Sequence, residues 1–357
     1  MKKSLMAVAL LGGFAAVAQA QTAVQIYGTI DAGMVKRTDQ TVQIGKRAAN
    51  TLGFKGTEDL GNGLKALFQL EIRYEPDTGT VENNGRPLFQ GQSRVGLQGD
   101  FGMVRVGRGL TPFQEVVGSF EPFHGLPTPA GFYTDISVAG FNSAPLDSNT
   151  SGGSPNSNRI SNAVFYNSPV SNGFQVNASW ATKEGNGGTV TGTNGGASYT
   201  GTNPQASTNP FSVAGTYNNG PAAAMLAYER NAVETKIWSG AGSFALTPEL
   251  KVMATYSKQN AEHINPVLSD TKAWLVGATY AMGPGKMLVG YGQKQLEDTP
   301  KTKQYSLGYE YSLSKRTYLY IDASRKTNIV VASGTNIGRL NATPTQNYYD
   351  VGINHSF

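Results

Sequence analysis

Charged and polar side chains occupy every second position of several short segments, which is the spacing of one face of a β-strand. In residues 64–74 one face carries charges of both signs and the other is apolar, and residues 50–57 and 89–99 repeat the pattern. Fixed charges arranged in this way attract or repel ions and polar solutes, which is the chemistry of a lining rather than of a reactive centre. The side chains predicted on the polar faces are Asp31, Thr51, Lys55, Lys65, Gln69, Glu71, Arg73, Gln92 and Arg94.

The three histidines offer no catalytic arrangement. His124 lies near Glu121, but no nucleophile can be paired with it from the sequence. His263 falls in a predicted loop, and His355 lies on an apolar strand face. The chain has no cysteine and no spacing typical of metal ligands, so we expect neither an enzyme nor a bound metal or cofactor. A formal net charge of +5 without a basic run also argues against nucleic acid binding.

Strand-like segments follow one another with turn residues between them, and helical periodicity is nearly absent. After residue 20 no apolar stretch approaches the length of a membrane helix. Inside a bilayer, a chain without helices satisfies its backbone groups only as a closed barrel, and single-chain barrels have an even number of strands. We therefore predict an all-β fold, a transmembrane antiparallel β-barrel of 16 strands, with strands at 23–35, 50–57, 64–74, 89–99, 103–108, 159–168, 174–182, 211–217, 222–230, 236–246, 250–259, 271–282, 287–296, 304–313, 317–326 and 346–357.

The amino terminus indicates export. Lys2 and Lys3 precede an apolar run at 5–17, and Ala18-Gln19-Ala20 has the small residues of a cleavage site. This combination is typical of a secretory signal peptide, so we expect residues 1–20 to be removed. A single β-barrel domain would then comprise residues 21–357.

Several short motifs occur along the chain: 56–66 (GTEDLGNGLKA), 95–97 (VGL), 100–102 (DFG), 106–108 (VGR), 111–112 (TP), 162–173 (NAVFYNSPVSNG), 313–317 (LSKRT) and 355–357 (HSF). In combination they resemble those of one known family, the Gram-negative general porins. The resemblance covers essentially the whole chain after residue 20. It implies a homotrimer of sixteen-stranded barrels in the outer membrane, among lipids and lipopolysaccharide, with the third long loop folded into the lumen. Small ions and hydrophilic solutes would diffuse through it passively.

The last predicted strand also resembles a signal read by the outer-membrane barrel assembly machinery. It alternates in character and stops on an aromatic residue, and we expect it to pair with residues 23–35. Its apolar face would point to lipid. The residues of that face assigned to the signal are Tyr349, Val351, Ile353 and Phe357.

Residues 109–158 are the predicted constriction loop, because they contain acids but no lysine or arginine. The loop acids are Glu115, Glu121, Asp135 and Asp147. We expect this acidic loop to face a basic wall across the lumen and to set up a transverse field there. The residues predicted for the basic wall are Arg159, Arg94, Arg73, Lys55 and Arg108. The other interpretation is a solvated surface loop whose acids have no role.

Anion-preferring members of the family carry three arginines around the constriction, and only Arg159 matches one of them. The second position falls on Thr51 and the third at Gly91 or Gln92, although Arg94 lies on the same face as Gln92. Arg73 and Arg47 are further candidates. The resemblance therefore implies a channel with a weak anion preference or with almost none. The alternative is an outer-membrane channel specific for one substrate.

Overall fold

The computed structural model describes residues 23–82, 87–144, 158–183, 189–194, 197–202, 208–262, 270–327, 329–332, 340–343 and 345–357. Sixteen antiparallel strands close into one barrel, which confirms the predicted fold class. Among these residues no helix is long and apolar enough to cross a membrane. The predicted signal peptide, residues 1–20, lies outside them.

The barrel strands are β1 Ala23–Arg37, β2 Asn50–Gly61, β3 Leu64–Tyr74, β4 Gln92–Gly99, β5 Gly102–Leu110, β6 Arg159–Asn167, β7 Phe174–Ala181, β8 Phe211–Asn219, β9 Ala222–Arg230, β10 Lys236–Ala245, β11 Leu250–Asn260, β12 Asp270–Met282, β13 Gly285–Leu296, β14 Thr302–Ser312, β15 Thr317–Thr327 and β16 Gln346–Ser356. Every predicted strand is present, with shifted ends. The largest shift at a start is in β4, which begins at Gln92 rather than Phe89 because residues 87–91 form turns and bends.

The first strand closes the barrel by dividing its pairing between two neighbours. Residues 23–29 pair with 51–57 of β2, and residues 29–37 pair with 348–356 of β16. At the terminus, the Gly28 N–H donates to the Phe357 carbonyl at 3.2 Å, and the Phe357 N–H donates to the Gly28 carbonyl at 3.1 Å. The predicted seam between the first and last strands is therefore present.

Short and long connections alternate around the barrel. The β2–β3 turn is a two-residue hairpin in which Asn62 and Gly63 have φ values of 51° and 77°, as a type I′ turn requires. This tight turn explains why β2 continues to Gly61. The long connections add a short strand, Gln43–Gly45, paired with β1, and two hairpins: Thr189–Asn194 with Ala197–Thr202, and Ile329–Ala332 with Leu340–Thr343.

The barrel wall is apolar on its outer face and polar on its inner face, which is the reverse of a soluble protein. Apolar side chains cover the outside, where Leu226 is 64% exposed and Tyr349, Val351 and Ile353 also point outward. Polar side chains cover the inside, where Ser257 and Gln304 are buried. Because charged groups are costly against lipid, this alternation places the hydrocarbon of the membrane around the barrel.

The long connection between β5 and β6 folds into the barrel. It begins with helix α1 (Pro112–Val117), which Thr111 caps by accepting the Gln114 N–H at 3.3 Å. Its aromatic residues pack against inward side chains such as Leu275 and Leu288 and form the main apolar core. The wall lacks side chains where the loop passes: a Cβ on Gly277 would lie 2.4 Å from Pro122 Cγ. Glycine at this position therefore permits the loop to dock.

Deletion of Phe357 should impair insertion of the barrel, because it removes two backbone hydrogen bonds of the β1–β16 seam. Barrels that do insert should conduct normally, because the seam is separate from the loop inside the barrel. The heat-modifiable folded fraction in membranes measures the first effect, and single-channel conductance measures the second. Phe357→Tyr keeps the backbone and an aromatic ring and serves as the matched control. An unchanged folded fraction after deletion would contradict this role.

Candidate functional site

In the described part of the loop, two ion-paired contacts join it to the barrel wall. At the first, Glu115 of α1 accepts from Arg94 Nη1 at 3.0 Å and lies 3.8 Å from Arg105 Nη2. Arg94 Nε also donates to Gln69 Oε1 at 3.1 Å, which fixes the guanidinium against β3. Both arginines are on the inward face of β4 and β5, and both guanidinium groups lie 5.9 Å from the Phe165 ring centroid. This contact carries one carboxylate and two guanidinium groups.

The second contact is centred on Asp135, which bonds to both Lys294 of β13 and Lys326 of β15. Burial by itself would raise the pKa of Asp135, but the two ammonium groups outweigh it and hold the pKa well below its usual range. Sequence reasoning did not assign either lysine to the site. The alternation of β13 and β15 could have shown that both point inward, but their meeting with Asp135 depends on the path of the loop.

Glu121 does not line the lumen, contrary to the prediction. Its side chain is fully buried and accepts backbone N–H groups of Phe123, Gly125 and Phe132 at 3.1, 2.5 and 3.3 Å. Burial raises its pKa to about 7, although the three N–H groups and Arg47 act in the opposite direction. Glu121 therefore holds the loop in shape. Asp147, the fourth predicted loop acid, lies outside the described residues.

Arg159 lies at the base of the loop and is only 7% exposed. Its Nε donates to the Gly91 carbonyl at 2.6 Å, and Nη1 donates to Asn158 Oδ1 at 2.7 Å. These bonds tie the first residue of β6 to the end of the β3–β4 connection. Arg159 therefore holds the base of the loop in position and exposes little of its side chain to water.

Arg108 departs from its predicted place on the basic wall. In register it lies opposite Ser93, on the face that also carries the outward Val95 and Val106, and the β5–β6 pairing has a bulge at this point. Its guanidinium donates to the Gln90 carbonyl at 3.0 Å and to Ser161 Oγ at 2.7 Å. The strand irregularity and the register, which the sequence motif does not reveal, decide the face on which Arg108 lies.

Five predicted lining residues of β2–β4 lie close together beside Tyr27 of β1. Lys55 Nζ lies 5.1 Å from the Tyr27 ring centroid, and the Tyr27 hydroxyl donates to Glu71 Oε2 at 3.2 Å. Arg73 Nε lies 3.7 Å from Glu71 Oε1. Thr51 is opposite Arg73 in register, and the largely buried Gln92 is opposite Glu71.

Arg47, a further candidate for the basic wall, is instead the centre of a buried cluster. Arg47, from the β1–β2 connection, donates to Asp322 Oδ2 at 2.6 Å and to Glu310 Oε1 at 2.7 Å. Its backbone N–H donates to Asp31 Oδ1 at 2.6 Å, so the fully buried Asp31 anchors this connection. Glu310 also binds Lys286 Nζ at 2.7 Å. Wall carboxylates are thereby paired with a loop cation.

No group of three His, Cys, Asp or Glu residues within the described ranges is arranged to hold a metal ion. His124 Nε2 lies 3.0 Å from Lys286 Nζ, and burial together with this ammonium lowers the pKa of His124 to about 4. His355 contacts Thr317 on the outer face. His263 is outside the described residues.

Inside the barrel, cationic side chains are on the whole more exposed than carboxylates. Most cations that point inward keep part of their surface, whereas many carboxylates are buried in hydrogen bonds or ion pairs. Among the described residues, the partly or fully exposed inward cations are Lys55, Lys65, Arg73, Lys251, Lys286, Lys294 and Lys326. The buried acids of the described chain are Asp31, Glu82, Glu121, Glu229, Glu310, Asp322 and Asp350. Such an arrangement can favour anions electrostatically.

Comparison with known proteins identifies similar chains along the whole length. A family model described as Gram-negative porin matches residues 7–329. The chain is 28% identical to an outer membrane porin protein of Bordetella pertussis and 30% identical to outer membrane porin protein 32 of Delftia acidovorans, each over 100% of both chains. The solved anion-selective porin from Comamonas acidovorans has a TM-score of 0.72 at 24% identity, covering 94% of this chain and 100% of that chain.

Glu121 should make the stability of the folded loop depend on pH. In the folded loop its pKa is about 7, whereas in an opened loop the carboxyl returns to water with a pKa near 4.5. The folded loop therefore binds this proton more tightly, and its stability falls by up to about 3 kcal/mol as the pH rises from 4.5 to 7. Amides of Phe123, Gly125 and Phe132 should exchange faster at about pH 8 than at about pH 5 in hydrogen-exchange mass spectrometry, after correction for intrinsic rates.

Glu121→Gln is the matched control, because its side chain is nearly isosteric and does not ionise. The corrected exchange of the three amides should then be the same at both pH values. Exchange in the unmodified protein that does not change with pH would contradict a titrating role for Glu121.

Proposed function

The chain belongs to the family of Gram-negative porins, and we propose that its channel has a weak preference for small anions. It is an outer-membrane porin, a water-filled β-barrel channel rather than an enzyme. The family explains the polar interior and the apolar exterior of the wall. The ion preference depends on the charges that this chain places around the loop.

The observation that carries the proposal is the contact between Asp135 and two lysines. Lys294 and Lys326 together exceed the charge of Asp135 by one, and all three side chains keep about a fifth of their surface exposed. A passing anion would therefore meet a net positive charge at this contact. Selectivity in a pore depends on the charges that line its narrowest section.

The contact between Glu115 of α1 and two arginines of the wall also supports a preference for anions. Arg94 and Arg105 outnumber Glu115 there, but both guanidinium groups are largely buried against the wall. Glu121 adds less negative charge to the lumen than an exposed acid, because it is buried and its raised pKa of about 7 leaves a large neutral fraction near neutral pH. The preference is weak because most lumen charges are already paired.

Two relatives give further support. The Comamonas acidovorans protein is anion-selective by its description, which agrees with the proposed sign for this chain. The OmpT structure of Vibrio cholerae, described as a trimer form, has a TM-score of 0.65 at 14% identity, covering 94% of this chain and 99% of that chain. We propose that this chain is a homotrimer as well, inserted by the barrel assembly machinery after removal of residues 1–20.

Asp135→Asn should increase the anion preference, because it leaves Lys294 and Lys326 without their carboxylate. Replacing both lysines by glutamine should decrease the anion preference, because the two positive charges are lost and the negative charge of Asp135 remains. The reversal potential in a KCl gradient across a planar bilayer measures both, and we expect the anion-to-cation permeability ratio to change roughly twofold or more in opposite directions.

Lys315→Gln, in the short exposed turn between β14 and β15, is the control for a charge change away from the loop. It should leave the reversal potential unchanged. A cation-selective unmodified channel would contradict the proposal, and so would equal shifts in all variants. Saturable block by one solute would instead indicate a substrate-specific channel.

A further inference from the structure

Glu229 of β9 is a buried acid that lies on the inner face of the barrel wall, against the start of the loop. It is 2% exposed and forms no ion pair within the described part of the chain. Its hydrogen-bond partners are three hydroxyl groups: those of Thr111 and Ser143 of the loop and that of Ser212, which is directly opposite on β8. A buried carboxylate without a cation is costly unless hydrogen bonds compensate for the lost water. These three hydroxyls therefore provide the hydrogen bonds that Glu229 would otherwise make to water.

Two of the hydroxyls also accept a hydrogen bond from the backbone of α1. The Phe113 N–H donates to Ser212 Oγ and the Gln114 N–H donates to Thr111 Oγ1, each at 3.3 Å. The first N–H groups of a helix have no partner within the helix, so the hydroxyls supply acceptors that these groups would otherwise lack. A hydroxyl that accepts in this way still has one proton, and Thr111 donates it to Glu229 Oε2 at 2.6 Å. The carboxylate therefore turns the hydroxyl oxygens toward α1.

The third hydroxyl connects Glu229 to a later part of the loop. Ser143 Oγ accepts a hydrogen bond from Gln114 Nε2 at 3.2 Å and also bonds to the carboxylate. Beside this contact, Asn231 Nδ2 donates to the Asn142 carbonyl at 2.8 Å. Glu229 and Ser143 are both almost fully buried, so water does not compete for these bonds. One carboxylate therefore ties the start of the loop, α1 and a later segment of the loop to the barrel wall.

The helix α1 carries Glu115, the acid that meets two arginines of the wall. The Glu115 N–H donates to the Thr111 carbonyl at 2.9 Å, so its backbone follows that of a residue bonded to Glu229. Its carboxylate reaches Arg94 Nη1 at 3.0 Å and lies 3.8 Å from Arg105 Nη2. Because α1 has only six residues, a rotation of its first turn would move Glu115 relative to both guanidinium groups.

We propose that Glu229 is a positioning residue of the channel, which holds α1 in the orientation that pairs Glu115 with Arg94 and Arg105. Glu229 is itself shielded from the lumen, so it acts through three hydroxyls and not on the permeating ion. The effect of the Glu115 contact on ions rests on the proposed function, whereas the placement of α1 by Glu229 does not depend on it.

Glu229→Gln tests the placement of α1, because its side chain is nearly isosteric but presents an amide donor where the carboxylate accepts. A hydroxyl that faces this amide loses the acceptor for its proton and turns away from α1. Hydrogen-exchange mass spectrometry of the mature protein in detergent at about pH 8, with fragmentation that resolves single amides, measures the effect. We expect the amides of Phe113 and Gln114 to exchange roughly tenfold faster in the variant.

Smaller changes assign the bonds individually. Ser212→Ala should accelerate exchange of the Phe113 amide and leave that of Gln114 unchanged, because it removes one hydroxyl only. Thr111→Ser keeps its hydroxyl and should preserve the protection of both amides. The matched control is Ser243→Ala, which removes a buried inward hydroxyl of β10 that has no hydrogen-bond partner among the described residues. The control should leave the exchange of both amides unchanged.

A second experiment measures the effect on ions. Glu115→Gln is introduced into the unmodified channel and into the Glu229→Gln channel, and the reversal potential in a KCl gradient gives the anion-to-cation permeability ratio of each. We expect loss of the Glu115 charge to change the ratio roughly twofold in the unmodified channel and much less in the Glu229→Gln channel, where the ion pair is already broken. A residue that serves barrel stability alone would leave the two changes equal.

Unchanged exchange of both amides in Glu229→Gln would overturn the inference, and so would an equally large change of the permeability ratio in both backgrounds. No effect of Glu115→Gln in the unmodified channel would contradict the proposed role of this contact in ion preference, while the amide exchange would still decide the role of Glu229. Heat-modifiability verifies folding, and Ser212→Ala replaces Glu229→Gln in the exchange experiment if that variant does not fold.

Discussion

Lipid offers neither donors nor acceptors, so the backbone of every strand in the barrel has to pair with another strand. The demand is strictest at the ends of the sheet, where an open edge would leave a whole row of groups unsatisfied. β1 solves this by pairing with β2 along its first half and with β16 along its second half, and Phe357 completes the ladder against Gly28. Closure then assigns one face of each strand to lipid and the other to water.

The closed wall is also the surface on which the inner loop is built. Gln304 and Ser324 donate to loop carbonyls at Gly131 and Pro129, at 2.9 and 3.1 Å, and Glu121 satisfies three N–H groups of the loop itself. Fixing the loop in this way brings Glu115 and Asp135 into direct ion pairs. Glu115 and Asp135 therefore neutralise nearby cations of the wall, whereas Glu121 is bonded to the backbone of the loop.

Alternation allowed the strands and their faces to be predicted, because period two is a local property of the chain. Lys55, Glu71 and Arg94 were assigned to the inner face on this basis, and the register agrees. Glu121 and Arg108 were misplaced for different physical reasons. A loop has no period from which orientation can be read, and a bulge with a specific register decides which side Arg108 takes.

The sequence by itself determined a closed β-barrel with an apolar outside, a polar inside and a long acidic loop, since hydrophobic period and turn residues are encoded within a few neighbouring positions. Only the tertiary structure decided which charges remain available to ions. Asp135 meets Lys294 and Lys326, which are 159 and 191 positions away in the sequence, and Arg47 reaches Asp322 across the seam between the first and last strands. Ion pairing and burial depend on distances in space, which are set by closure of the sheet and by docking of the loop.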